Sequence, residues 1–127
     1  MQLYRVILPV GDIDAAAVFY ESLLGVAGRR VSPGRHYLDA GSVILALVDP
    51  RADGQGRDAR PNQEHVYFAT ADLEGARSRA VAAGPSRGPG EIRRMEWGET
   101  SFYLTDPWGN PVAVVAEGTE FREGWIP

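Results

Sequence analysis

The sequence contains no cysteine and no lysine, and it has only 2 histidines and 2 methionines. Without cysteine the chain can form no disulfide, has no thiolate nucleophile and offers no cysteine ligand to a metal. All 13 basic residues are therefore arginines. They are scattered along the chain, and the formal net charge is −4, so we expect no basic surface for a nucleic acid.

The sequence also lacks an apolar run long enough to cross a membrane, because Arg5 and Asp12 interrupt its apolar start. The amino terminus enters a strand-like pattern at once, without the features of a signal peptide, so we expect a cytoplasmic protein. A chain of 127 residues, 44% of them hydrophobic, suffices for one domain with an ordinary core. We expect a single domain over residues 1–127, or two small halves that share a core.

The beginning of the chain predicts the element order β-α-β-β-β over about residues 1–48. An apolar run over Leu3–Val10 indicates a strand, and Asp12 is a suitable N-cap for an amphipathic helix over Ile13–Leu24. Gly25 then supplies the helix stop. Three more strands are predicted over Val26–Ser32, Arg35–Ala40 and Ser42–Val48.

The same order begins again after residues 49–64, a polar stretch without periodicity that we interpret as a linker. Aligning Arg5 with His65, a shift of sixty positions, matches a strand, a helix cap and a helix in series. The second helix covers Asp72–Ala83 and stops at Gly84. The remaining predicted strands are a weak one around Glu91–Trp97 and the two arms of a hairpin, Thr100–Thr105 and Pro111–Val115. The second repeat covers about 65–116, and a tail covers 117–127.

The turn of this hairpin, Asp106-Pro107-Trp108-Gly109-Asn110, is rich in turn-forming residues. Pro107 fixes φ near the value needed early in a turn, and Gly109 permits positive φ. Asp106 and Asn110 have side chains that can hydrogen-bond the local backbone.

Each predicted repeat has one helix to cover one face of its sheet, which leaves the other face open. Two such repeats can set their open faces side by side around a space that holds a ligand. The predicted fold is therefore α+β, with two β-α-β-β-β modules pairing into a curved mixed sheet around a central cavity.

Four motifs resemble those of the vicinal oxygen chelate superfamily, the glyoxalase, bleomycin resistance and extradiol dioxygenase relatives. They are Arg-Val-Ile-Leu-Pro-Val-Gly-Asp at 5–12, Ala-Val-Phe-Tyr at 17–20, His-Val-Tyr-Phe-Ala-Thr-Ala-Asp at 65–72 and Phe-Tyr-Leu-Thr-Asp-Pro-Trp-Gly-Asn-Pro at 102–111. The resemblance extends from Leu3 to about Phe121. It implies the paired-module fold and a small-molecule ligand between the modules, and it leaves the reaction open.

Alternation along the strands assigns residues to the inward, ligand-facing side of each sheet. The predicted ligand-binding residues assigned in this way are Arg5, Ile7, Leu45, Leu47, His65, Tyr67 and Ala113. Trp97 and Tyr103 are added as aromatic walls for a flat ligand, with plain core residues as the alternative. Arg5 would bind a carboxylate or an enol oxygen of the ligand, or form a salt bridge within the protein. His65, and with the same odds His36, is either a functional donor or base or a structural residue.

The resemblance also implies where a metal would be held, on the first and last strands of each repeat. Those positions are Arg5, Leu45, His65 and Ala113 in this chain, and among these only His65 carries a donor. A catalytic divalent ion needs three or four nitrogen or oxygen donors, and an arginine at its edge repels it. We expect no metal and no other cofactor, and no catalytic residue is assigned.

Three functions stay open at this point. The first is a metal-free binding protein for an apolar or aromatic small molecule with an anionic group, similar to the drug-sequestering members of the superfamily. The second is an enzyme, a lyase, isomerase or dioxygenase, using unusual metal ligands or, without metal, His65 and Arg5. The third is a structural or regulatory domain. The missing ligands favour the first over a metal enzyme. A homodimer is expected from the open sheet edges, with Phe121, Trp125 and Ile126 of the tail against the partner.

Overall fold

The computed structural model describes residues 1–121. Its elements, in chain order, are β1 (Arg5–Pro9), α1 (Ile13–Leu24), β2 (Gly28–Ser32), β3 (Arg35–Ala40), β4 (Val43–Val48), β5 (Val66–Thr70), α2 (Leu73–Ala83), β6 (Arg93–Arg94), β7 (Thr100–Thr105) and β8 (Pro111–Ala116). No helix within this part of the chain has the length and apolarity needed to span a membrane.

The two predicted repeats are present as two four-stranded mixed sheets with the same topology. The first has the order β1-β4-β3-β2 and the second the order β5-β8-β7-β6. In each sheet the first strand pairs in parallel with the last strand of its repeat, and the other pairings are antiparallel. The predicted α+β fold is confirmed, and the sheets do not close into a barrel.

Both helices begin and end as the sequence predicts. The Asp12 side chain accepts hydrogen bonds from the backbone N–H groups of Asp14 and Ala15, and Asp72 accepts one from Gly75. These bonds satisfy backbone donors that have no partner inside the helix. Gly25 and Gly84 follow the helices with φ of 69° and 79°, the left-handed conformation that glycine adopts without strain.

One hydrophobic core joins the two repeats. It contains the helix-facing side chains of both sheets together with α1 and α2, which pack on each other. Helix α1 is buried on two sides, since Ala16, Tyr20 and Leu23 join the core and Phe19 also contacts Trp108 of the second repeat at 6.3 Å between ring centroids. Helix α2 buries fewer and smaller side chains, namely Leu73, Ala76 and Ala80.

The turn between β7 and β8 ties the repeats together. Asp106 is fully buried, and its carboxylate accepts hydrogen bonds from the Tyr20 hydroxyl at 2.6 Å and from the backbone N–H groups of Trp108 and Asn110. The Asn110 amide donates to the Asp106 carboxylate and to the Pro9 carbonyl of β1. The predicted local bonds are present, and they extend into a network between the repeats.

The second strand of the second repeat, β6, is shorter than predicted. Only Arg93–Arg94 is extended, instead of a strand around Glu91–Trp97, because the chain turns at Met95–Glu99. In that turn the Met95 N–H donates to the Glu99 carbonyl, and Gly98 has a φ of 99°. The outer edge of the second sheet is therefore much shorter than that of the first.

Candidate functional site

The register of the strands separates a helix-facing side of each sheet from the opposite side, which we call the helix-free face. In the first sheet Ile7 pairs with Ala46, and Ala46 pairs with Tyr37, so these three side chains share one face. In the second sheet Tyr67, Ala113 and Tyr103 form the equivalent row. The inward orientation predicted for Arg5, Ile7, Tyr67 and Ala113 agrees with this register, which also places Tyr103 on the helix-free face.

The predicted orientation of β4 is wrong by one residue. Leu45 and Leu47 lie in the hydrophobic core with Leu8 and Val10, on the helix-facing side. Residues Ala46 and Val48 point to the helix-free face and are also buried, at 0% and 3% exposure. Because this half of β4 is buried on both sides, its sequence is apolar throughout and hydrophobic alternation cannot fix its orientation.

The helix-free face of the first repeat carries two arginines that converge on one tyrosine. Arg5 and Arg35 each donate an Nη1–H bond to the Tyr37 hydroxyl at 3.0 Å. The Arg5 guanidinium also lies over the rings of Tyr4 and Tyr37, at 5.4 and 5.5 Å from their centroids. Arg35 is held from its other side by the Asp53 carboxylate at 3.2 Å. The result is a positioned cationic group with a hydroxyl at its centre.

The helix-free face of the second repeat carries a cluster of aromatic rings. His65 lies 5.2 Å from Tyr103 and 6.0 Å from Tyr67, centroid to centroid, and the two tyrosine rings meet edge to face at 6.4 Å. Ala113 lies between the two tyrosines in the register and is fully buried. Its small side chain leaves room for the rings, and Tyr67 remains 51% exposed.

The Tyr67 hydroxyl is held in its neutral form. Hydrogen bonding with Tyr103, followed by burial and by the negative potential of Tyr103, Glu99 and Glu64, raises its pKa to about 12. At neutral pH the Tyr67 hydroxyl is therefore an uncharged donor and acceptor.

The metal positions implied by the family fold do not fit a divalent ion. With the corrected orientation, Ile44 and Ala46 take the place given to Leu45, so the candidate positions are Arg5, Ile44 or Ala46, His65 and Ala113. A single imidazole among apolar side chains and a guanidinium does not meet the donor requirement of zinc, iron or manganese. Residues 1–121 contain no cluster of three or more histidine, aspartate or glutamate side chains suited to a metal.

Two other candidates have local structural partners. Trp97 is 54% exposed in the Met95–Glu99 turn, where its indole N–H donates to the Glu99 carboxylate at 2.6 Å. His36 is buried on the helix-facing side, with Nε2 3.1 Å from the Glu21 carboxylate and Nδ1 accepting from Arg30. These two hydrogen-bonding contacts assign His36 a structural role.

Sequence reasoning missed Tyr37, which lies at the centre of the cationic group. The signal was present, because Tyr37 is the repeat equivalent of Tyr103, each paired with the alanine of the last strand. Extending the repeat alignment past the helix, where its shift grows from 60 to 66 positions, finds this pair.

These elements define an α+β protein of two β-α-β-β-β repeats. One repeat carries a cationic group on its helix-free face, and the other carries an aromatic cluster there. The chain belongs to the family described as Glyoxalase/Bleomycin resistance protein/Dioxygenase superfamily, whose sequence profile matches residues 2–114. The comparison with curated proteins finds no match.

Solved structures share the fold over most of the chain. A glyoxalase/bleomycin resistance protein from Albidiferax ferrireducens is 19% identical with a TM-score of 0.78, covering 91% of this chain and 98% of that one. A lactoylglutathione lyase from Agrobacterium tumefaciens is 24% identical with a TM-score of 0.69, covering 91% and 93%. An integron cassette protein from the mobile metagenome of V. cholerae is 27% identical with a TM-score of 0.64, covering 92% and 95%.

Proposed function

We propose that this protein binds a mostly apolar, planar small molecule with one anionic group, and that it does so without a metal. The observation that carries the proposal is that the helix-free face of one repeat bears a positioned arginine group and the helix-free face of the other bears an aromatic cluster. Superfamily membership supports a small-molecule ligand, and the donor set described above supports a metal-free site.

The anionic group of the ligand would be held at Arg5. One of its five guanidinium N–H groups is committed to the Tyr37 hydroxyl, which leaves donors for a carboxylate. Stacking on Tyr4 and Tyr37 restricts the side chain in advance, so less conformational entropy is lost on binding. Arg5 is exposed in the free chain, so its attraction for an anion is moderated by water.

The planar part of the ligand would lie against His65, Tyr67 and Tyr103. Rings that meet edge to face present both faces and edges, which favour offset and T-shaped contacts with another aromatic ring. The half-exposed Tyr67 ring offers such a surface to a ligand.

The test is calorimetric titration of the protein with 2-naphthoate, a planar aromatic carboxylate. Arg5→Leu should weaken binding about tenfold, equivalent to roughly 1.4 kcal/mol, and Tyr67→Ala should weaken it by a similar factor. Arg57→Leu is the matched control, because Arg57 lies in the linker and hydrogen-bonds Gln55. Absence of binding by the wild type, or affinity unchanged in both Arg5→Leu and Tyr67→Ala, would contradict the proposal.

We also propose that two chains form a homodimer through the outer edge of the first sheet. Strand β2 is a five-residue edge strand, whereas β6 has two residues and offers little to pair with. Of the tail residues predicted to contact the partner, Trp125 and Ile126 lie outside the described residues, and Phe121 is 70% exposed. A sedimentation mass of one chain at micromolar concentration would refute the dimer.

A further inference from the structure

A cavity of about 440 Å³ lies between the two repeats; Tyr67 of the aromatic cluster is part of its lining, whereas Arg5 and Arg35 of the cationic group are not. The end of α1, one side of α2, the turn between β3 and β4, and β5 form its walls. Its lining is mainly aliphatic and includes Leu3, Val26, Leu45, Val66 and Phe68. The volume is within the range of small-molecule sites in proteins.

A comparison of equivalent positions in the two repeats explains why this cavity is present. On the equivalent side of the interface, the five-residue turn Asp106–Asn110 and the α1 residues Phe19 and Tyr20 pack against each other. At the cavity, the equivalent turn has only Gly41 and Ser42. The residues of α2 that match Phe19 and Tyr20 at a shift of sixty are Arg79 and Ala80. A shorter turn and the loss of two rings leave a volume that the other side fills.

Arg79 gives the cavity a polar group in an apolar setting. Its side chain lines the space, and its Nε–H donates to the Leu23 carbonyl at the end of α1 at 3.2 Å. That bond orients the guanidinium while its two Nη groups carry further donors. The other charged side chain in the lining, Asp39, is exposed, and no ion pair joins it to Arg79 in residues 1–121. A half-buried guanidinium is best satisfied by an anionic acceptor.

We propose that this cavity is a second ligand site, which binds an aliphatic carboxylate with its alkyl chain among the apolar side chains and its head group on Arg79. Tyr67 borders both this cavity and the tyrosine cluster, but most of the cavity lining is aliphatic and its anchor is Arg79 instead of Arg5. The inference does not depend on the proposed binding of an aromatic anion.

The test is calorimetric titration of the full chain with decanoate and, separately, with decanol. One decanoate should bind per chain. Arg79→Leu should weaken decanoate binding at least tenfold and leave decanol binding within about twofold, and Arg79→Lys should restore part of the decanoate affinity. Arg79→Phe restores the ring found at the equivalent position in α1, so it should fill the cavity and abolish binding of both probes.

Substitutions of the two arginines distinguish binding at the two sites. Arg79→Leu should leave 2-naphthoate binding unchanged, whereas Arg5→Leu should leave decanoate binding unchanged. Circular dichroism verifies that each variant is folded. If Arg79→Phe does not fold, Arg79→Leu alone tests the proposal. No heat from decanoate at millimolar concentration, decanoate affinity unaffected by Arg79→Leu, or loss of decanoate binding in Arg5→Leu would overturn the second site.

Discussion

The two repeats share a scaffold and differ most on their helix-free faces. Tyr37 and Tyr103 occupy equivalent positions across from Ala46 and Ala113. Around Tyr37 the first repeat places two arginines, whereas around Tyr103 the second repeat places a histidine and another tyrosine. The same backbone register therefore supports a cationic group in one repeat and an aromatic group in the other.

This difference shows where each repeat is free to change. The helix-facing side chains of both sheets belong to one core, where a change of volume is costly. The helix-free faces carry no helix, so their side chains can diverge without disturbing the packing that holds the fold. The proposed ligand binding depends on the unequal faces, whereas stability depends on the shared core.

The largest loss of stability is expected at the turn between β7 and β8, which packs against the first repeat. Asp106→Ala should destabilise the protein by about 3–5 kcal/mol, because Tyr20, Trp108 and Asn110 lose a buried charged acceptor. Ser42→Ala, in the exposed equivalent turn, is the control and should change stability by less than about 0.5 kcal/mol. Urea unfolding measures both. Similar values for the two variants would show that the turns are equivalent after all.

The orientation of β4 is tested by truncating neighbouring residues. Leu45→Ala should cost about 2–4 kcal/mol, because Leu45 is 2% exposed within the core. Ile44→Ala, on the helix-free side and only partly buried, should cost about 1 kcal/mol. The denaturant midpoints of the two variants decide between the two orientations of β4. A greater loss of stability for Ile44→Ala than for Leu45→Ala would support the orientation predicted from sequence.

The contact between Glu21 and His36 in the first repeat has no counterpart in the second, since His36 is equivalent to Phe102. Hydrogen bonds from the Gly28 N–H and, second, from His36 lower the pKa of Glu21. The ionised Glu21 carboxylate therefore stabilises the folded protein fully above its ordinary pKa of 4.5, and this stabilisation is lost as the pH falls through the lowered pKa. Glu21→Gln should reduce stability by about 1 kcal/mol at pH 7 and much less at pH 3. An equal loss at both pH values would exclude the ionised carboxylate as the cause.

The smallest effect concerns the aromatic cluster alone. Tyr67 should ionise near pH 12 by ultraviolet titration, and Tyr103→Phe should move its pKa towards the ordinary value of 10. Because the folded pKa is raised, the associated stability is complete below pH 10 and is lost as the pH rises towards 12. Tyr4→Phe is the control outside the cluster. An unchanged Tyr67 titration in Tyr103→Phe would show that the two hydroxyls do not interact.

The sequence predicted the fold well where its signals were local. Asp12 and Asp72 before helices, glycines after them and the Asp106–Asn110 turn each have a local physical cause, and their repetition predicted the architecture. The orientation of β4 was not predictable in this way, since burial on both faces removes the alternation. The convergence of Arg5 and Arg35 on Tyr37, and the cavity at Arg79, depend on pairings between distant segments that no local pattern encodes.

The metal content of the purified protein tests the central claim most directly. Neither repeat supplies a set of donors at the positions that the family fold implies, so the family's scaffold is expected to bind its ligand without a metal. Elemental analysis of protein prepared without chelator should give a ratio of divalent metal to chain far below one. A ratio near one that disappears in His65→Ala would contradict the account.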